Sequence, residues 1–237
     1  MDNSLTRRGF IATSALLATG LLLPSTAKAS EFDVSPMAHN SDITPQFRIT
    51  LEDSKGSLIL AKETGLENRI REKRGAISEN DRYKIKDSHA VTSCSGGMQI
   101  ASYEAHVLVP MRASTPNNPR VDENNDVLAT LRVEAYFQLN SAKTQIKITK
   151  VHATVKQRAS YAIIQSRTAG ACQGPQFAQI KTQNFNTNET TITTGWGYIP
   201  FMSYSESNGL VCNGGMVESG VTSVGMGDTV LRADAYV

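Results

Sequence analysis

From Val127 to Leu139 every odd position is apolar: Val127, Ala129, Leu131, Val133, Ala135, Phe137 and Leu139. Thr130, Arg132, Glu134 and Gln138 stand between them. A period of two sustained over this length is the pattern of a half-buried strand and is incompatible with a helix. The next segment carries Ile146 and Ile148 on even positions and then Val151, Ala153 and Val155 on odd ones, so its phase slips by one. One extra residue near Thr149-Lys150, a β-bulge, explains the slip. With Asn140-Ser141-Ala142-Lys143 as a four-residue loop, the expected partners are Phe137 with Ile146, Ala135 with Ile148, Val133 with Val151, Leu131 with Ala153 and Ala129 with Val155. No single unbroken register puts all five pairs apolar on apolar.

The same reasoning pairs Met98 to Val109 with Val127 to Leu139 across the longer loop from Pro110 to Asp126. Glu104 then lies opposite Arg132 and Ser102 opposite Glu134 on the wet face, while Tyr103, Ala105, Val107 and Val109 point inward. Phe47 to Leu51 and Leu58 to Ala61 flank the turn-rich Asp53-Ser54-Lys55-Gly56 and suggest a short hairpin. Further strands are expected at Tyr161 to Arg167, Gln176 to Thr182, Thr190 to Tyr198 and Thr229 to Val237, the last with Leu231, Ala233, Ala235 and Val237 on one face. One short helix is expected after this first hairpin, with Thr64 and Glu67 as a capping box, Gly75 as its close and a thin stripe of Leu66, Ile70 and Ile77. Many short strands joined by polar Gly, Asn and Ser segments predict an all-β antiparallel β-sandwich, or a barrel-like relative of it.

The first residues carry a different signal. Arg7-Arg8 in Ser4-Leu5-Thr6-Arg7-Arg8-Gly9-Phe10-Ile11 precedes a mild apolar run that Pro24 ends, and Ala27-Lys28-Ala29 follows. The segment resembles the twin-arginine (Tat) signal peptide, which bacteria use to export proteins already folded: two arginines, a spacer, then a bulky apolar pair. The resemblance implies recognition of Arg7, Arg8 and Phe10 by the Tat translocase. It also implies cleavage by signal peptidase between Ala29 and Ser30, with Ala27 completing the small-residue site. The run is too short and dilute to span a membrane. The expected organisation is an export signal over 1–29, a polar leader over 30–45 and one β-rich domain over 46–237, secreted or wall-associated outside the cell.

Removing Arg7, Arg8, Lys28 and Asp2 from the 24 basic and 22 acidic residues leaves 21 of each, so the formal charge of +2 belongs to the tag. An electrically neutral chain has no long-range field to draw it to nucleic acid or anionic lipid, and neither nucleic-acid binding nor stable membrane insertion is expected. The 3 cysteines allow one disulfide and one leftover thiol. Cys172 with Cys212, which bracket the segment holding the only Trp, is the expected pair, and Cys94 with Cys212 the alternative. A protein folded before export meets a reducing cytoplasm first, so on the twin-arginine reading this disulfide is a later staple.

No catalytic constellation stands out. Ser93-Cys94-Ser95-Gly96-Gly97 lacks the acidic residue that precedes the nucleophile in chymotrypsin-like proteases, and most of the chain follows it rather than precedes it. His39, His89, His106 and His152 are scattered without metal-ligand spacing, and the acidic run Asp122-Glu123-Asn124-Asn125-Asp126 misses the Gly and closing Glu of a calcium loop. No metal or cofactor is expected. Glu104 and Glu134 with Arg132 between them read as a surface charge network rather than a glycosidase pair.

Gly195-Trp196-Gly197-Tyr198-Ile199-Pro200-Phe201 is the richest aromatic segment. Read as a strand, it puts Trp196 and Tyr198 on one face: dry, they anchor the core, the usual fate of a lone Trp in a β-sandwich; wet, they form a platform for sugars or peptide side chains. The expected role is therefore non-enzymatic binding or adhesion, to cell-wall polymer, glycan or a surface protein. Two readings from other classes stand behind it: a secreted hydrolase with dispersed active-site residues, and a secreted toxin or bacteriocin-like protein.

Overall fold

The computed structural model describes residues 43–64, 83–109, 126–204, 207, 211–223 and 227–237. All of them fall within Asn40–Val237, the larger of the two units into which the chain divides. They form β1 (Gln46–Asp53), β2 (Leu58–Thr64), β3 (Lys84–Ser93), β4 (Met98–Val109), β5 (Asp126–Leu139) and β6 (Gln145–Gln157). The order continues through β7 (Ala162–Gln173), β8 (Gln179–Asn184), β9 (Glu189–Thr193), β10 (Ile199–Pro200), β11 (Gly214–Ser223) and β12 (Gly227–Tyr236). Two antiparallel sheets result, ordered β2-β1-β12-β11-β7-β8 and β10-β6-β5-β4-β3, with β9 taking the part of the β6 edge that β10 leaves free.

The sheets stack face to face in a sandwich-like arrangement, β11 over β5 and β6, and β12 over β4 and β5. Between them lie Phe47, Ile49, Leu51, Val217, Val221, Leu231, Ala233, Ala235 and Val237 from one sheet and the alternating apolar residues of β4, β5 and β6 from the other. Gly215 sets the closeness of the approach. A Cβ there would sit 2.6 Å from Val151 Cγ1 and 2.8 Å from its Cγ2, so only hydrogen fits. At the open edge Lys62 of β2 pairs with Asp87 of β3, which also accepts the Tyr103 hydroxyl at 3.0 Å. Inward-facing charge of this kind discourages edge-to-edge association.

The β4–β5 register is the expected one as far as Val107: Glu104 faces Arg132, Ser102 faces Glu134, and Tyr103, Ala105 and Val107 are buried. A shift then brings Leu108, which is buried, opposite Val127, the partner expected for Val109. The β5–β6 hairpin has its bulge at Thr149, between the pairs Tyr136 with Lys150 and Phe137 with Ile148, but the ladder is displaced by two residues from the expected one. Leu139 faces Ile146, Ala135 faces Val151, Val133 faces Ala153 and Leu131 faces Val155. The turn chemistry explains the displacement. The Asn140 amide donates to the Gln145 carbonyl at 3.1 Å. Asn140 Oδ1 accepts the amides of Thr144 at 2.8 Å and Gln145 at 3.0 Å, so the loop closes around Ser141–Thr144. An even displacement leaves every side chain on its own face, so the apolar matching survives.

Three other expectations need correction. No α-helix occurs among the described residues. The expected helix falls on 65–77, outside them, and its expected cap Thr64 is the last residue of β2, opposite Phe47. The strand expected over Thr190 to Tyr198 stops at Thr193, as β9: residues 194–198 leave the ladder, and β10 starts only at Ile199, beyond the expected span. Three strands had no forecast: the two-residue β10, β3, whose inner face carries Asp87 and His89, and β11, whose inner face alternates Gly215, Val217, Ser219 and Val221. Among the described residues no helix is long and apolar enough to cross a membrane.

Candidate functional site

The bulge in β6 organises the surface around it. In a regular strand Lys147 and Lys150, three positions apart, would point to opposite faces; the extra residue Thr149 turns both outward while Ile148 and Val151 stay buried. A bulge leaves backbone groups without ladder partners, and here side chains from the other sheet and the next loop take them up. Buried Gln173, at the end of β7, accepts the Ile148 amide on Oε1 at 2.6 Å. Its Nε2 donates to the Gly197 carbonyl at 2.9 Å and to Gln179 Oε1 at 3.1 Å. Thr194 donates its amide to the Thr149 carbonyl at 3.1 Å and its hydroxyl to the Ile148 carbonyl at 2.5 Å. The Thr149 hydroxyl donates to the Tyr136 carbonyl at 3.1 Å.

Each outward lysine meets a tyrosine. Lys150 Nζ lies 3.8 Å from the centroid of the Tyr136 ring, its cross-strand partner. Lys147 Nζ lies 4.8 Å from the Tyr198 ring, which β10 delivers to the β6 edge because Ile199 pairs with Ile146. Both geometries are those of a cation over an aromatic face. Tyr198 is 43% exposed. Lys181 donates to the Thr193 carbonyl at 2.7 Å, and Thr193 is the partner of Lys150, so a third ammonium stands at the same edge. Burial, and then the Glu134 carboxylate, raise the Tyr136 phenol above its ordinary value. Glu134 itself is taken by Arg132 and by the Tyr136 hydroxyl at 3.2 Å.

The residues singled out in the sequence are placed as follows. Arg7, Arg8, Phe10, Ala27, Ala29 and Ser30 lie outside the described residues. Cys172 and Cys212 form a disulfide with a Cα–Cα distance of 5.7 Å, while Cys94 is free and exposed beside the turn Ser95–Gly97. Trp196 is half-buried against the core, whereas Tyr198 faces outward beside Lys147. The alternation argument does not reach this pair, because the segment between Thr193 and Ile199 is not strand. Arg132 lies 3.7 Å from Glu104 as well as bonding Glu134, and His106 Nε2 lies 3.1 Å from Glu104, a continuous charge network along the outer face of β4 and β5. Among the described residues no group of three His, Cys, Asp or Glu side chains could hold a metal ion.

A second polar cluster lies on the outer face of the other sheet and had no forecast. Asp234 is fully buried and accepts Arg48 Nε at 3.0 Å and Nη2 at 2.9 Å, Arg232 Nε at 2.8 Å and the Tyr236 hydroxyl at 2.9 Å. Burial alone would raise this carboxyl, but Arg232 and Arg48 more than offset it and hold it below the ordinary range. Across the ladder from Arg232, Glu218 is raised, chiefly by burial. The Tyr204 ring stacks on Tyr236 at 4.9 Å. Every acceptor site of Asp234 is occupied, and the cluster reads as a structural rivet joining β1 to β12. No family model matches the chain, and neither a curated protein nor a solved structure matches it.

Proposed function

We propose that this chain is exported by the twin-arginine route, loses residues 1–29, and acts outside the cell as a non-enzymatic binding β-sandwich, secreted or held at the wall. The Arg7-Arg8 motif and the small-residue site at Ala27 and Ala29 support the route. The Cys172–Cys212 disulfide fits an oxidising destination. The observation that carries the binding role is the outward pair of Lys147 and Tyr198 on a backbone clamped by Gln173 and Thr194. An exposed ring and an ammonium held on a rigid frame lose little entropy on engaging a ligand. The partner classes are cell-wall polymer, glycan or a surface protein.

The test is retention of the protein beginning at Ser30 on cell walls, host matrix and immobilised glycans, with Tyr198→Ala and Trp196→Ala beside the parent. Retention that Tyr198→Ala abolishes, at unchanged thermal stability, supports the reading. Equal retention of all three proteins removes the platform from it, and retention on none of the surfaces removes the binding role.

A further inference from the structure

Resting on that binding role, we infer that the ligand is an acidic polysaccharide bearing carboxylates, gripped along the β6 bulge by two lysine–tyrosine pairs: Lys147 with Tyr198 and Lys150 with Tyr136. The bulge is the decisive feature. It alone turns both lysines to one face, and it is retained although its freed backbone groups require Gln173, Thr194 and the Thr149 hydroxyl to satisfy them. Three residues along a strand place the two lysine backbones roughly 10 Å apart, about two pyranose rings.

Charge complementarity selects the sign of the ligand. The chain after residue 29 is neutral, with 21 residues of each sign, so a cluster of Lys147, Lys150 and Lys181 is a local excess rather than a share of a general one. The carboxylate of this face that stands nearest in register, Glu134, is already engaged by Arg132 and Tyr136. An ammonium resting on a ring keeps N–H donors for a carboxylate, and such charge-assisted bonds are the stronger kind. The rings select a saccharide. Phenol faces take the C–H face of a pyranose, whereas a polyphosphate or nucleic-acid backbone gains little from them. A sheet face encloses too little of a small molecule for firm binding, so a chain that engages the two pairs in succession fits better than a single sugar.

The experiment measures binding of the mature protein to polygalacturonate, to the same polymer with its carboxylates methyl-esterified, and to inorganic polyphosphate. Lys147→Gln, Lys150→Gln and Tyr198→Ala are compared with the parent, and thermal unfolding shows that each variant is folded. The inference expects binding to polygalacturonate that weakens with salt, a drop of about tenfold for each lysine change, and loss with the ester. Equal binding to the ester, unaltered by the lysine changes, overturns the acidic class while leaving the binding role standing. Equal or tighter binding to polyphosphate overturns the saccharide. Retention on walls or matrix with none on polygalacturonate overturns the ligand class alone, and absence of retention on every surface overturns both.

Discussion

The side chain of Gln173 reaches across the space between the two sheets and accepts the amide of Ile148 at 2.6 Å, closing the backbone at the point where β6 bulges. Because its amide group also donates to the Gly197 carbonyl, one buried glutamine holds both the bulge and the loop that carries Tyr198. Gln173→Leu keeps much of the volume and removes all of this. It is expected to cost about 2–3 kcal/mol, since the Ile148 amide and the Gly197 carbonyl lose their partner. Urea unfolding of parent and variant measures that loss. Faster amide exchange confined first to residues 194–198 would locate it in the clamp; a stability equal to the parent's would show that the clamp is dispensable.

Asp234 and Glu218 sit in one cluster and pull stability in opposite directions with pH. The Asp234 carboxyl is lowered in the folded protein, so its contribution is present above its unfolded value and disappears as pH falls through the folded one. Glu218 is raised, so its contribution is present below the unfolded value and is lost as pH rises through the folded one. Glu218→Gln should therefore raise the melting temperature at pH 7 and flatten the decline that sets in as pH rises above about 4. Asp234→Asn removes the carboxylate that the buried Arg48 and Arg232 guanidinium groups share and should cost about 3–5 kcal/mol at pH 7. Melting curves across this range check both, and an Asp234→Asn protein as stable as the parent would refute the rivet.

The Cys172–Cys212 bond closes a loop with a sequence separation of 40. On a chain-entropy basis its removal by Cys172→Ser with Cys212→Ser should lower stability by about 3–4 kcal/mol. The secondary structure should be unchanged, as the proposed export of the chain in its folded state requires. Circular dichroism and urea unfolding of the reduced parent and the double variant test this, with Cys94→Ser as a control that leaves stability unaltered. A double variant that fails to fold would contradict folding ahead of export.

How far the sequence discloses this structure depends on what each residue pattern encodes. Opposed Glu104 and Arg132 with apolar residues between them determine the β4–β5 register from Met98 to Val107, though not the shift beyond it. The phase slip between Ile148 and Val151 reveals the bulge. The same alternation cannot count pairs, because sliding the hairpin by two residues restores every face; the side chain of Asn140 made that choice. β3 was hidden because Asp87 and His89 occupy inward positions where apolar residues would signal a strand. β11 was hidden because its inward Gly215 and Ser219 are small enough to let the sheets close. The Arg48–Asp234 contact joins residues 186 apart, and nothing local tells that the first strand lies beside the last. For the platform, the bulge was legible, but Tyr198 meets Lys147 only because β10 returns to the β6 edge.

The central claim is that the β6 bulge sets Lys147 and Lys150 on one face, each over a tyrosine ring. Proton NMR of the side chains tests it directly, since a methylene next to an ammonium held over a ring feels the ring current. The account predicts upfield-shifted ε-protons for both lysines, with Tyr198→Phe retaining the Lys147 shift, Tyr198→Ala erasing it, and Tyr136→Ala erasing that of Lys150. Unshifted ε-protons at either lysine in the folded parent would contradict it.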